Sequence, residues 1–280
     1  MKKRKISEAL VISTVKKIAL KASFDLEPEV EKLLRQALAR EKSPDGKTAL
    51  KIILENIALA RRKKIPICQD TGLSVFFIEL GREVDLDFDL VAAINQGIRE
   101  ATKEGYLRRS VADHITRENT GDNTPAIVHV KLASGRRLKL NLIIKGGGAE
   151  NKSLVKMMSP AEGIPAIKKT VLDAVKNAGG QACPPIIVGL GIGGDLELSA
   201  ILAKQALARK TGSKSKDREL AKLESEILKD INKLGIGPSG LGGKITCLAV
   251  QAEKAPGHIA SLALAVNLQC WAHRGAKAVI

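Results

Sequence analysis

Four cysteines are the most chemically distinctive side chains in the sequence: Cys68, Cys183, Cys247 and Cys270. They lie far apart, with no CxxC pair and none of the density of a disulfide framework. Thiolates are soft metal ligands, and iron–sulfur clusters are held by thiolates that can be gathered from distant loops. Each cysteine taken singly is equally at home as a small buried hydrophobe. Cys247, within the apolar run Ile245-Thr-Cys-Leu-Ala-Val250, fits the buried reading best, whereas Cys68, Cys183 and Cys270 stand beside polar, proline or aromatic breaks.

Three loops concentrate the remaining unusual residues. They are Cys68-Gln69-Asp70-Thr71-Gly72, Lys145-Gly146-Gly147-Gly148, and Cys183-Pro184-Pro185 running into the glycines from Gly189 to Gly194. Consecutive glycines let successive backbone N–H groups converge on a carboxylate or phosphate, or simply make a tight turn after a strand. Asp70 stands in an Asp-Thr-Gly turn, where a side-chain oxygen commonly closes the loop. The spacing Gly189-x-Gly191-x-x-Gly194, between an apolar strand and a helix, satisfies the dinucleotide fingerprint, with Asp217 downstream. In that fingerprint the ribose-binding acid ends a second parallel strand, whereas Asp217 follows a polar loop and opens a helix. An NAD-binding protein is the alternative of a different class.

The elements that position these loops follow from periodicity. Apolar residues one turn apart predict three helices between Ser7 and Lys64, and Leu73 to Leu80 reads as a buried strand. Asp89 to Gly105 is a helix, and Ala126 to Leu132 with Leu138 to Lys145 reads as a hairpin around Ser134-Gly135. Helices are expected at Asn151 to Met158, Pro160 to Ala178, Asp195 to Arg209 and Asp217 to Leu234, with strands at Ile186 to Val188, Ile245 to Val250 and Ala260 to Leu268. The glycines after Val188 read as loop. The fold class is α+β: a helical region over about 1–64, then mixed helices and hairpin strands over about 65–280 around a loop-built site.

Composition narrows the partners. A net charge of +16 brings nucleic acid, a membrane surface and anionic substrates into question, but aromatics make up only 2% of the chain, too few for base-stacking platforms. The basic residues are scattered in short groups such as Lys2 to Lys5 and Arg136 to Lys139. No stretch approaches the roughly 18 apolar residues that span a bilayer. The basic start runs into Ser7, Glu8, Ala9 and Leu10 rather than an apolar signal core. No nucleic acid, no membrane and a cytoplasmic location are expected.

Several long motifs then stand in order. Ile65-Pro-Ile-Cys-Gln-Asp-Thr-Gly72, Gly121-Asp-Asn-Thr-Pro-Ala126, Lys145-Gly-Gly-Gly-Ala-Glu-Asn-Lys152, Cys183-Pro-Pro-Ile-Ile-Val-Gly-Leu-Gly-Ile-Gly-Gly194, Gly235-Ile-Gly-Pro-Ser-Gly-Leu-Gly-Gly243 and Asn267-Leu-Gln-Cys-Trp-Ala-His-Arg274 resemble the class I, iron–sulfur fumarate hydratases. The likeness is to the alpha subunit, or amino-terminal half, of that family, and tartrate dehydratase alpha subunits look similar.

The resemblance implies that Cys68, Cys183 and Cys270 ligate three irons of a [4Fe–4S] cluster whose fourth iron is open to a small dicarboxylate. It implies substrate contacts at Gln69, Asp70, Arg108 and Gly147, with Asp70 in the acid/base machinery and Arg109 as the rival of Arg108. The reaction implied is interconversion of fumarate and L-malate, with L-tartrate dehydration as the alternative. A beta subunit is the implied partner, in a heteromer such as a dimer of alpha–beta pairs, and the isolated chain is expected not to turn over. The family gives Cys247 no role. His258 occupies a Pro-x-His position shared with the family, although Gly257 stands where threonine is usual; a supporting role near the site and a satisfied buried histidine are both open to it.

Overall fold

The computed structural model describes residues 3–280. The short strand β1 (Arg4–Lys5) precedes three helices, α1 (Glu8–Phe24), α2 (Pro28–Arg40) and α3 (Pro44–Lys63). Their starts are written locally: the Ser7 hydroxyl accepts the Leu10 N–H, and Pro28 and Pro44 sit where a missing N–H costs nothing. Next come β2 (Leu73–Gly81), β3 (Val84–Asp85), α4 (Leu90–Glu104), β4 (Ile127–Ala133), β5 (Leu138–Lys145) and the single turn α5 (Gly147–Glu150). The chain continues through β6 (Leu154–Met158), α6 (Gly163–Ala178), β7 (Ile186–Gly193), α7 (Leu196–Leu207), α8 (Arg218–Asn232), β8 (Cys247–Ala255), β9 (Leu262–Gln269) and β10 (Arg274–Val279). The class is α+β, as the sequence indicates.

Two compact units are each assembled from separated segments. The first comprises Met1–Glu27, Asn56–Gly147 and Arg274–Ile280; the second comprises Pro28–Glu55 and Gly148–His273. In the first, a four-stranded sheet runs β10-β5-β2-β4, and α1 and α4 pack together, with α1 also lying on β5 and β10. Gly97 lets α1 and α4 approach, since a Cβ there would stand 2.7 Å from Val15. Val11, Val15, Ile94, Ile98, Phe76 and Leu140 share this core, each fully buried apolar side chain contributing about 1.5–3 kcal/mol of transfer free energy.

The hairpin expected between β4 and β5 does not form. β2 lies between them, antiparallel to β5 and parallel to β4. With Val75, Phe76 and Ile78 buried, β2 suits an interior place in the sheet, where β5 and β4 satisfy both its edges. The segment around Ser134 and Gly135 closes over the end of β2 instead: Arg82 N–H donates to the Ala133 carbonyl at 2.9 Å and Glu83 N–H to that of Gly135 at 3.1 Å.

In the second unit the sheet order is β6-β9-β7-β8, with β7 parallel to β8 and antiparallel to β9. Val188 and Leu190 on β7 join the core built with α6 and α8. The alternate residues Gly189 and Gly191 face α7, where a Cβ would lie 2.2 Å from the Ala203 carbonyl oxygen and 1.9 Å from that of Ser199. The glycines read as loop are therefore strand, kept bare so that a helix backbone can lie on the sheet. The helix expected over Asn151 to Met158 is also corrected: Leu154–Met158 is an edge strand antiparallel to β9. The four-residue turn α5 ends before it, and the apolar run is too short to support a helix against open sheet pairing.

Candidate active site

Asp70 lies in the loop feeding β2, and both its carboxylate oxygens and its carbonyl accept hydrogen bonds. Its Oδ1 accepts the Gly72 N–H at 3.1 Å, its Oδ2 accepts the Gly147 N–H at 2.7 Å, and its carbonyl accepts Arg274 Nη1 at 2.7 Å. The glycines make this possible. Gly72 has φ +74° and a Cβ on it would stand 2.6 Å from the Lys145 carbonyl oxygen; a Cβ on Gly146 would stand 2.9 Å from Asp70 Oδ2. Within Gly146 to Gly148 it is the single N–H of Gly147 that meets a carboxylate, and that carboxylate is Asp70's own.

The Asp70 loop is braced from a second side. Buried Asn123, held at φ +63°, donates from Nδ2 to the Gly72 carbonyl at 3.2 Å and accepts the Ser110 N–H at 2.9 Å. The buried Thr71 hydroxyl donates to the Arg108 carbonyl. Arg108 thus starts from a backbone tied to the Asp70 loop while its guanidinium is exposed; Arg109 is exposed too, and its carbonyl accepts Asn119 Nδ2 at 2.9 Å. Gln69 is exposed and its Oε1 lies 3.4 Å from the Cys68 thiol. Beside Asn123, burial works to raise the Asp122 carboxyl, but the Thr124 hydroxyl, Arg99 and the Thr124 N–H outweigh it and hold the group at about 2.

In the second unit Cys183 is exposed and left-handed, φ +52°, at the end of a short turn over Gly179–Ala182. Its carbonyl accepts the Trp271 N–H at 3.2 Å, which ties it to the residue following half-buried Cys270. The Pro184 carbonyl accepts the Ser239 N–H at 2.7 Å, and Gly240 lies against Gly180, where a Cβ on Gly240 would be 2.7 Å from Gly180 Cα. That glycine loop is anchored by Glu41, 2% exposed, whose carboxylate accepts the N–H groups of Lys42, Ser43, Lys244 and Ile245 at 2.7 to 3.0 Å. Burial would raise the Glu41 carboxyl, but the four N–H donors outweigh it and hold it below its ordinary value.

The donor chemistry fits a thiolate-held centre. Cys68 and Cys270 are half-buried and Cys183 is exposed, so all three are reachable, and none of the four cysteines is in a disulfide. Cys68 belongs to the first unit and Cys183 and Cys270 to the second; among the described residues no group of three or more His, Cys, Asp or Glu side chains forms a metal site. Cys247 is different in kind. Burial pushes its thiol up to about 12, and its Sγ donates to the Ala249 carbonyl at 3.2 Å.

Two other readings, that His258 is a buried histidine and that the glycines bind a dinucleotide, do not hold. His258 is exposed, not buried, and its Nδ1 accepts the Ala260 N–H at 3.1 Å in a local turn. The dinucleotide fingerprint fails because Gly189 and Gly191 lie inside β7 rather than in the turn before a helix, and because Asp217 caps α8 and pairs with Lys254. Two residues of the site carried no recognisable signal as such: Arg274, inside a quoted motif, and Asn123, whose tolerance of positive φ is its one local hint.

The model of the fumarate hydratase (Fumerase) family matches residues 12–279. This chain belongs to that family of hydro-lyases. The fumarase-family chain is 40% identical over 279 residues to a Methanocaldococcus jannaschii protein provisionally named L(+)-tartrate dehydratase subunit alpha, covering 97% of this chain and 96% of that one. It is 32% identical over 245 residues to the L(+)-tartrate dehydratase subunit alpha of Escherichia coli K12, covering 86% of this chain and 81% of the relative. The Shigella sonnei protein of the same name matches to the same extent. Among the described residues no helix is long and apolar enough to cross a membrane.

Proposed function

We propose that this fumarase-family chain is the alpha subunit of an iron–sulfur hydro-lyase that interconverts fumarate and L-malate, its site completed by a beta subunit. The observation that carries the reading is the Asp70 carboxylate, held by two backbone N–H groups two residues after Cys68. Cys68, Cys183 and Cys270 would hold a [4Fe–4S] cluster, which when bound supplies a Lewis acid for the substrate hydroxyl, otherwise a poor leaving group. A thiolate-held cluster of this kind suits a reducing compartment such as the cytoplasm.

The chain's own residues supply the complementary parts. Asp70 moves a proton at the carbon next to the departing hydroxyl, working with a hydroxyl from the beta subunit. The Gly147 and Gly72 N–H groups keep its oxygens in one orientation, so little of the barrier goes into finding the reactive geometry. Arg108 is the cation for a substrate carboxylate, since a planar guanidinium can grip one with two parallel hydrogen bonds. Gln69, exposed next to Cys68 in the chain, offers an amide donor. Gly147 enters the site through Asp70.

A second reading, dehydration of L(+)-tartrate, is favoured by the names of the relatives and differs by one substrate hydroxyl. The test is anaerobic co-expression with a family beta subunit and measurement of water loss from L-malate and from L(+)-tartrate. Higher kcat/KM for L-malate supports the first reading, and higher kcat/KM for L(+)-tartrate the second. Absence of iron-dependent turnover on both rejects the proposal, as does turnover by the alpha chain alone for its beta-subunit clause.

A further inference from the structure

Arg274 is 1% exposed, which is an unusual place for a guanidinium. It opens β10, pairs in register with Ile144 near the end of β5, and donates from Nη1 to the Asp70 carbonyl at 2.7 Å. Its Nε–H is buried with no hydrogen-bond partner. Its place beside the loop is also specific: a Cβ added at Gly146 would stand 2.9 Å from Asp70 Oδ2 and 3.6 Å from Arg274 Nη2.

From these contacts we infer that Arg274 is the positioning residue for Asp70: it clamps the main chain of the acid/base loop from the buried side while Gly72 and Gly147 orient the carboxylate. The division of labour follows from the atoms. The two N–H groups can fix the carboxylate only relative to their own backbone, so a loop free to shift would carry Asp70 with it. Arg274 removes that freedom by holding the carbonyl of Asp70 itself, from the first residue of a strand hydrogen-bonded to β5. Lysine cannot substitute fully, because it lacks the planar fork that reaches the carbonyl at fixed angle. The functional side of this inference rests on the role proposed above for Asp70; the structural side does not.

The experiment uses the full chain and Arg274→Lys and Arg274→Met, read by amide hydrogen exchange. Expected is exchange at Gly72 and Gly147 about tenfold or more faster in both variants, the scale of a lost hydrogen-bonded brace, while Leu190 within β7 is unchanged. Unchanged exchange at Gly72 and Gly147 overturns the inference. Should both variants fail to fold, the wild-type chain decides by NMR: slowly exchanging, rotationally restricted Arg274 guanidinium protons support the clamp, and a freely rotating guanidinium refutes it. In the complete enzyme, Arg274→Lys is expected to lower kcat by about ten- to a hundredfold with KM within about twofold, the cost of a small misplacement of a reacting group. Loss through KM alone refutes the positioning role. If wild type shows no hydro-lyase turnover, the proposed function fails while the exchange result still stands.

Discussion

Replacing Gly146 with alanine tests whether the placement of Asp70 matters to chemistry apart from stability. The added Cβ would stand 2.9 Å from Asp70 Oδ2, against the 3.4 Å at which ordinary contact begins, so the carboxylate must withdraw by about half an ångström. The Oδ2 bond to the Gly147 N–H, now 2.7 Å, then stretches toward 3.2 Å, near the far end of useful hydrogen-bond lengths. A charge-assisted bond is worth about 1.5–3 kcal/mol, and with partial loss offset by water the folded state should lose only ~1 kcal/mol. A displacement of 1 Å at a reacting group can cost about a hundredfold in rate, so half of that should cost ~tenfold in kcat. The assay is L-malate and L(+)-tartrate dehydration by the complete enzyme, with thermal melting of the same samples. Wild-type kcat in Gly146→Ala, or a rate loss matched by unfolding, would refute the claim that the Gly147 N–H orients Asp70.

Further predictions follow the same geometry. Glu41→Gln should destabilise the chain by about 1–3 kcal/mol at pH 7, because Oε1 can still take three N–H groups while an amide NH2 faces the Ile245 donor; urea unfolding measures it. The wild-type Glu41 carboxyl is held below its ordinary 4.5, so its contribution is complete above that pH and is lost as pH falls through the lower folded-state value. Urea midpoints should therefore drop below pH 4.5 more in wild type than in Glu41→Gln, and parallel curves would contradict this. Gly191→Ala should abolish soluble folded protein, since the Cβ meets the Ser199 carbonyl at 1.9 Å; a normal melt would mean α7 can lift from β7. Iodoacetamide at pH 8 should label exposed Cys183 first and leave Cys247 untouched, as peptide mass mapping would report.

Features dictated by neighbours in sequence were legible before the structure. Asp89 and Asp217 cap α4 and α8, and β2 shows as an apolar run beside its loop. The loop carrying Cys68 and Asp70 stands out for the same reason: the information lies within a few residues, where capping and turn chemistry operate. The family motifs located the candidate residues but said nothing of what holds Asp70.

Strand partnership and burial belong to the tertiary structure. Nothing local tells β4 that β2 will come between it and β5, because a short connection permits a hairpin and the separation appears only in the assembled sheet order β10-β5-β2-β4. Gly189 and Gly191 look the same in a phosphate loop as in a strand pressed by a helix; the missing Cβ is read by α7, far along the fold rather than along the motif. Arg274 reads as an ordinary surface arginine until the β10–β5 register buries it beside Asp70. The sequence determined which groups could do chemistry, because side-chain identity is local. The fold decided which of them are held still, because burial and hydrogen-bond partners arise between segments distant in the chain.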